Sequence, residues 1–254
     1  MNPTITITTL GTSHGSHTAT RFNSSTLFEV GNDLYLIDAG APVEGLLIRA
    51  GKDISAIKAV FLTHMHNDHV GGLPGLIKQL IKEGRDGQHT DIYLPEECAG
   101  DGLEAWLKAQ RLAWPTPLID LHITREGSVY ADDKLAVSAQ PTRHLLQENG
   151  EPGSFCYVLT VDGKTIVYSG DLTADFSDFP WQAGALPCDL CITEATHYPI
   201  EKALPILADA PIRRLIFNHI GDNWHGGGEA ELIEHISCLP YPCEIAEDGS
   251  TFYI

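Results

Sequence analysis

Phe61-Leu62-Thr63-His64-Met65-His66-Asn67-Asp68-His69-Val70-Gly71-Gly72 places three histidines and an aspartate within six residues. The run directly before it, over 57–63, is apolar enough to predict a buried strand. In an extended chain residues two apart point the same way, so His64 and His66 can converge on one ion. Asp68 and His69 fall where strand gives way to helix, and from there they can turn towards a second ion. Gly71 and Gly72 keep the next turn thin. Imidazole and carboxylate are the donors that suit Zn²⁺ or a similar divalent cation. The bland alternative is a coincidence of surface histidines in a chain that has 12 of them. A cluster set directly behind a buried strand argues against coincidence.

Outward from this stretch, short strands alternate with helices, and no low-complexity linker divides them. Strands are expected at 4–10, 25–30, 33–38 and 57–63, with a short helix around 43–51. A helix over 73–81 shows one apolar face at positions 73, 76, 77, 80 and 81. Further strands are expected at 91–94, 118–123, 134–141, 155–161, 164–168, 189–193, 213–218, 243–246 and 251–254. Helices fit 96–112, 200–209 and 228–237. Two sheet-rich halves covered by helices predict an α/β (α+β) architecture, a four-layer αββα sandwich formed by residues 1–254 as one domain.

The 254 residues are 43% hydrophobic, enough for a sizeable core. With 34 acidic against 16 basic side chains the formal charge is −18. Such a surface repels long nucleic acids unless a basic patch overrides it, and Arg213-Arg214 is the densest basic pair. A small substrate held by metal ions is compatible with that charge, and so is a homo-oligomer. No signal peptide and no apolar run of roughly 18–20 residues is visible, so a soluble cytoplasmic protein without membrane contact is expected. Cys188 and Cys191 have the spacing of a zinc knuckle, with Cys238 and Cys243 a looser pair. Cys188-Asp189-Leu190-Cys191-Ile192 reads better as a buried strand carrying reduced thiols.

The motif at 64–69 matches His-x-His-x-Asp-His without a gap, and on it the chain resembles the metallo-β-lactamase superfamily. The resemblance implies three further ligands, each with a match in order. They are His144 in Pro141-Thr142-Arg143-His144, Asp171 in the Ser169-Gly170-Asp171 turn, and His219 closing Leu215-Ile216-Phe217-Asn218-His219. It assigns His64, His66 and His144 to one ion, Asp68, His69 and His219 to another, and Asp171 as the bridge. Two divalent ions are therefore implied, zinc first, with manganese or iron as alternatives. Within the superfamily the chain is similar to ribonuclease Z and its phosphodiesterase relatives. The similarity rests on Leu10-Gly11-Thr12, Asn23-Ser24-Ser25, Leu36-Ile37-Asp38-Ala39-Gly40, Gly71-Gly72-Leu73-Pro74-Gly75-Leu76 and Thr193-Glu194-Ala195-Thr196. The last looks like a His-Glu-Ala-Thr box in which Thr193 stands for the histidine, and His197 follows closely enough to substitute. No glycine- and proline-rich basic arm of the kind that grips transfer RNA is visible.

The chemistry this implies is hydrolysis of a small or cyclic phosphodiester by a hydroxide held between the two ions. Asp68 is the residue to orient that hydroxide or accept its proton. His197, with Glu194 beside it, is the candidate general acid, an exposed loop histidine being the alternative. His14, Trp224 and His225 are candidates for substrate contact, against a packing role for Trp224. His89, His122 and His235 carry only a surface reading. Gly226-Gly227-Gly228 lacks the Lys-Ser/Thr of a phosphate-binding loop and reads as a lead into a helix. Rival functions on the same fold are hydrolysis of a lactone, thioester or β-lactam, and a non-catalytic metal-binding scaffold. Iron redox chemistry is more remote, because no flavin domain follows.

Overall fold

The computed structural model describes residues 5–85, 87–180 and 187–254, so the expected strand start at residue 4 lies outside the described residues. Apolar alternation produces the first sheet as expected. Its strands are β1 (Ile5–Gly11), β2 (Ser25–Val30), β3 (Asp33–Ile37), β4 (Ile57–Phe61), β5 (Thr90–Leu94) and β6 (Ile119–Ile123). Helices α1 (Val43–Arg49), α2 (Asn67–Val70), α3 (Leu73–Glu83) and α4 (Glu97–Ala109) connect them. The second half holds β7 (Gly127–Ala131), β8 (Ala136–Pro141), β9 (Phe155–Val161), β10 (Lys164–Tyr168), β11 (Leu190–Ala195), α5 (Ile200–Asp209), β12 (Leu215–Ile220), α6 (Gly228–Ile236) and β13 (Cys243–Ile245). The last strand, β14 (Ser250–Tyr253), crosses back to pair with β1.

Two seven-stranded sheets result, in the orders β14-β1-β2-β3-β4-β5-β6 and β13-β12-β11-β10-β9-β8-β7. Each has three antiparallel pairings on one side and three parallel ones on the other. Parallel strands need crossovers that cover a face, which is where the helices sit. The alternation in β4 shows the layering. Ala59 and Phe61 enter the core between the sheets, while Val60 and the following Leu62 enter the core under α1, α3 and α4. A third apolar cluster, including Leu207, Phe217 and Leu232, joins the second sheet to α5 and α6. Three cores separating four layers make the αββα sandwich. Phe61, fully buried against Tyr93 and Tyr157, pins the sheets together; its truncation to alanine would cost about 3–5 kcal/mol.

On α3 the expected face is buried at Leu73, Leu76, Ile77 and Leu80, and Ile81 is partly buried. Strand β7 was not expected from the sequence: it is an edge strand, exposed over most of its length and paired with β8, so it lacks the buried alternation that marks a strand. The expected helix 96–112 stops at Ala109, and the strand expected at 213–218 runs from Leu215 to Ile220. Among the described residues no helix is long and apolar enough to cross a membrane. The described cysteines are free, with Cys156, Cys188 and Cys191 buried; burial pushes the Cys188 thiol up to about 12.

Candidate metal centre

The ligand residues arrive from both sheets. His64 and His66 follow β4, Asp68 and His69 lie on α2, His144 follows β8, Asp171 follows β10, and His219 lies near the end of β12. Their donor atoms meet. His64 Nε2 is 3.0 Å from His66 Nδ1, and His144 Nε2 is 3.2 Å from that same Nδ1. Asp171 Oδ2 lies 3.6 Å from His64 Nε2 and 3.7 Å from His144 Nε2. In the second group His219 Nε2 is 3.2 Å from His69 Nε2 and 3.1 Å from Asp68 Oδ2. His69 Nε2 is 3.5 Å from Asp68 Oδ2 and 3.4 Å from Asp171 Oδ2.

Donors bound at about 2.0–2.1 Å around a tetrahedral ion stand roughly 3.3 Å apart. Both groups straddle that spacing, and Asp171 Oδ2 is common to both. Imidazole nitrogens and carboxylate oxygens turned towards a shared centre are the arrangement a cation satisfies. The residues therefore fit a pair of divalent ions sharing one carboxylate.

Asp38, just past β3, and His219 both have positive φ, 61° and 46°, a conformation that non-glycine residues adopt rarely and at a cost that surrounding contacts must offset. The Asp38 carboxylate accepts from the Thr63 N–H at 2.8 Å and from its hydroxyl at 3.0 Å. It also lies 2.7 Å from His69 Nδ1, so it fixes the ring whose Nε2 faces the centre. Gly170 is required by its turn: φ is 59°, and a Cβ there would come within 2.9 Å of the Phe155 carbonyl. Gly40 lets the Asp68 carbonyl approach, where a Cβ would meet that oxygen at 2.3 Å.

The charges are interlocked. Burial disfavours the His69 imidazolium, but Asp171 and Asp38 outweigh it and hold its pKa well above the usual histidine value. Burial, together with neighbouring His69, pushes His64 well below it, and burial takes His144 down to about 4. Burial alone would raise Asp171; the charges of His219, His69 and His64 instead hold it low. Asp68 behaves likewise, with hydrogen bonds from His219 and His69 overcoming its burial.

Glu194 and His197 are drawn into the same site. The buried Glu194 carboxylate accepts the N–H groups of Leu172 at 2.6 Å, Thr196 at 3.1 Å and His197 at 2.9 Å. It also lies 2.8 Å from His197 Nδ1. The His197 ring is 4.6 Å from that of His144, and its Nδ1 is 3.7 Å from Asp171 Oδ2. An isolated loop histidine would show neither contact. Burial lowers the His197 pKa, but the Glu194 hydrogen bond and charge, with Asp171, take it up to about 9.

The other expected residues divide. His14 and His225 come together, ring centres 5.7 Å apart, with His14 Nε2 2.9 Å from Asp222 Oδ1. His225 Nε2 lies 2.8 Å from the Ile220 carbonyl, just past His219. Trp224 goes elsewhere: it is buried in the third apolar cluster with its ring 6.0 Å from His235, so its faces are taken up by packing and the expected stacking on substrate is corrected to a core role. The surface histidines pair with carboxylates, His122 with Asp91 at 2.7 Å and His235 with Glu231 at 3.9 Å. Helix α6 starts at Gly228, the last glycine of the expected lead. Sequence reasoning gave no role to Asp38 or Asp222. The available signal for Asp38 was a carboxylate ending an apolar strand before Ala39-Gly40, where burial is costly unless the charge is bound.

Residues 5–202 match the family described as anti-Pycsar protein Apyc1. The chain belongs to that family. This Apyc1-family chain is also 33% identical to a ribonuclease Z of Synechococcus sp. (strain CC9902) over 176 residues, covering 65% of this chain and 51% of that protein. It thus spans about half the length of that relative. It is 30% identical to a ribonuclease BN of Cronobacter sakazakii (strain ATCC BAA-894) over 306 residues, with 98% of this chain and 99% of that protein covered. Among solved structures it superposes on the metallo-β-lactamase fold protein YhfI from Bacillus subtilis with a TM-score of 0.78 at 19% identity, covering 99% of this chain and 100% of that one. The Apyc1-family chain is accordingly a metallo-β-lactamase-fold protein close to the ribonuclease Z branch.

Proposed function

We propose that this chain is a dinuclear metal-dependent hydrolase that cuts a small or cyclic phosphodiester. The observation that carries the reading is Asp171 Oδ2, within 3.4–3.7 Å of His69, His64 and His144 donors from both ligand groups. One shared carboxylate oxygen fits two adjacent ions, an arrangement suited to in-line displacement at phosphorus. His64, His66 and His144 would hold the first ion, Asp68, His69 and His219 the second, and zinc suits this nitrogen-rich set best. When bound, such ions lower the pKa of water to about 7 and stabilise negative charge on a phosphoryl oxygen.

The chain's own residues supply the rest. Asp68, its carboxylate kept ionised by His219 and His69, orients the attacking water. His197 is held by Glu194 as an imidazolium and gives its Nε2 proton to the leaving oxygen. Glu194 fixes that ring and, through the Leu172 N–H, the backbone just beyond Asp171. His14 and His225, joined through Asp222, form a polar wall for the part of the substrate remote from phosphorus. Both sheets supply ligands, which supports one domain carrying the whole site.

A small substrate is favoured over a polynucleotide for two reasons. The formal charge of −18 opposes a phosphate backbone. The alignment with ribonuclease BN runs over 306 positions against 254 residues here, so at least 306 − 254 = 52 positions have no counterpart in this chain. Free thiols and the acidic surface support a cytoplasmic setting.

The test is metal analysis of the purified chain beside a panel of bis-nitrophenyl phosphate, cyclic mononucleotides, a lactone and a thioester. Two equivalents of metal and preferential phosphodiester hydrolysis are expected. Metal-replete protein that favours the lactone or thioester, or that is inert towards every ester, would overturn the proposal.

A further inference from the structure

The three fully buried histidines of the centre differ in what the second ring nitrogen touches. His69 Nδ1 faces Asp38 at 2.7 Å, and His64 Nδ1 faces the Thr63 hydroxyl at 3.1 Å. His219 Nδ1 is buried and has no hydrogen-bond partner among the described residues. A ligating imidazole keeps its proton on the nitrogen away from the metal, and that N–H is normally given to an acceptor. Asp171 Oδ1 and Asn218 Oδ1 are buried and unpartnered as well. All three residues line one cavity of about 10 Å³ behind the ligands, with Ser24, Tyr168 and Glu194 completing its wall.

His219 Nδ1 and Asp171 Oδ1 are 3.6 Å apart, too far for a direct hydrogen bond and close enough to share one bridging oxygen. The cavity is about the size of a single water, and the three unpartnered polar atoms belong to residues of its wall. Asn218 is oriented by its other amide atom: Nδ2 donates to Thr26 Oγ1 at 3.2 Å, which leaves Oδ1 free as an acceptor.

We infer that one buried water occupies this cavity and makes Asn218 the positioning residue of the second ion site. The water accepts from His219 Nδ1–H and donates to Asp171 Oδ1 and Asn218 Oδ1. Ser24 Oγ and Tyr168 Oη, 3.3 Å apart in the same wall, offer a donor for its remaining lone pair. The proton is thereby fixed on Nδ1 and the lone pair of Nε2 is aimed at the Asp68–His69 group. Asn218 acts on the ion through the water and His219, without touching it. The inference rests on the two-ion reading above.

The experiment is stepwise chelator competition on the intact chain, reading the affinity of each ion, with Asn218→Leu compared against Thr26→Val. Asn218→Leu keeps the volume and removes the acceptor; the dissociation constant of the ion held by Asp68, His69 and His219 is expected to rise by about 10–100-fold while the other ion is unaffected. Thr26→Val removes the partner of Asn218 Nδ2 but keeps Oδ1 available as an acceptor, so its effect on that ion is expected to be much smaller than that of Asn218→Leu. Equal losses in the two variants would show a merely structural role and overturn the inference. So would unchanged affinities in Asn218→Leu, or a dry cavity in a high-resolution crystal structure. A parent chain that binds no second ion would instead sink the two-ion reading itself. Circular dichroism of both variants separates loss of affinity from loss of fold.

Discussion

The two ligand groups share an oxygen yet sit in different surroundings. In the first, His66 is exposed and His144 half-buried, and both come from connecting segments outside strands and helices. In the second, Asp68, His69 and His219 are all buried, two of them on helix α2. His69 is further locked by Asp38, whereas among the described residues His66 has only the contacts with His64 and His144. The difference teaches where substrate arrives. On the proposed reading the open group, with His197 beside His144, is the side from which a phosphodiester would enter. The buried group forms a preorganised floor, where low dielectric strengthens every charge interaction.

The change that should break this comparison altogether is Asp171→Ala. Because Oδ2 serves both groups, both ions should bind more weakly and kcat/KM should fall by more than about 10³-fold. Metal content after gel filtration, read beside turnover, checks it. Loss of one ion alone would show that Asp171 is not shared. Asp38→Ala should instead separate the groups, weakening only the buried ion by about 10–100-fold. It also strands the Thr63 N–H, costing about 1–3 kcal/mol of stability. Chelator titration and thermal unfolding measure the two effects. Equal weakening of both ions would remove the distinction between them.

Much of this was legible in the sequence because it is local. His64 to His69 lie within six residues, and buried strands such as β4 announce themselves through a nearly unbroken apolar run. What was not legible depends on contacts between distant segments. Asp38 takes its meaning from Thr63 and His69, 25 and 31 positions away. Trp224 looked available for stacking until Leu232 and the rest of the third cluster closed over it. Strand β7 has no buried face to betray it, since its pairing with β8 supplies the order that its side chains do not. His197 was readable as a neighbour of the box at 193–196, but only the fold sets it beside His144.

On the open side, His197→Ala should slow substrates with poor leaving groups by roughly 10²–10⁴-fold and nitrophenyl esters far less. The sign of the pH effect follows from its raised pKa of about 9. The imidazolium persists through neutrality, so activity on poor leaving groups should fall as pH rises through about 9, and the variant should lose that limb. The same shift stabilises the fold below the unfolded value of about 6.5, a contribution lost as pH rises through about 9. Equal losses on both ester types would strip His197 of the acid role.

The smallest effect is expected at His14, which makes no contact with the shared oxygen and sits with Asp222 and His225 just past His219. His14→Ala removes the 2.9 Å contact with Asp222, whose side chain is 77% exposed and can turn to water, so stability should barely move. If His14 only cups the remote part of the substrate, KM should rise about 3–10-fold with kcat unchanged, the signature of lost uniform binding. A fall in kcat without a change in KM would place His14 against the transition state instead. That outcome would extend the reacting region to the His14–Asp222–His225 wall, beyond what the ligand groups alone define.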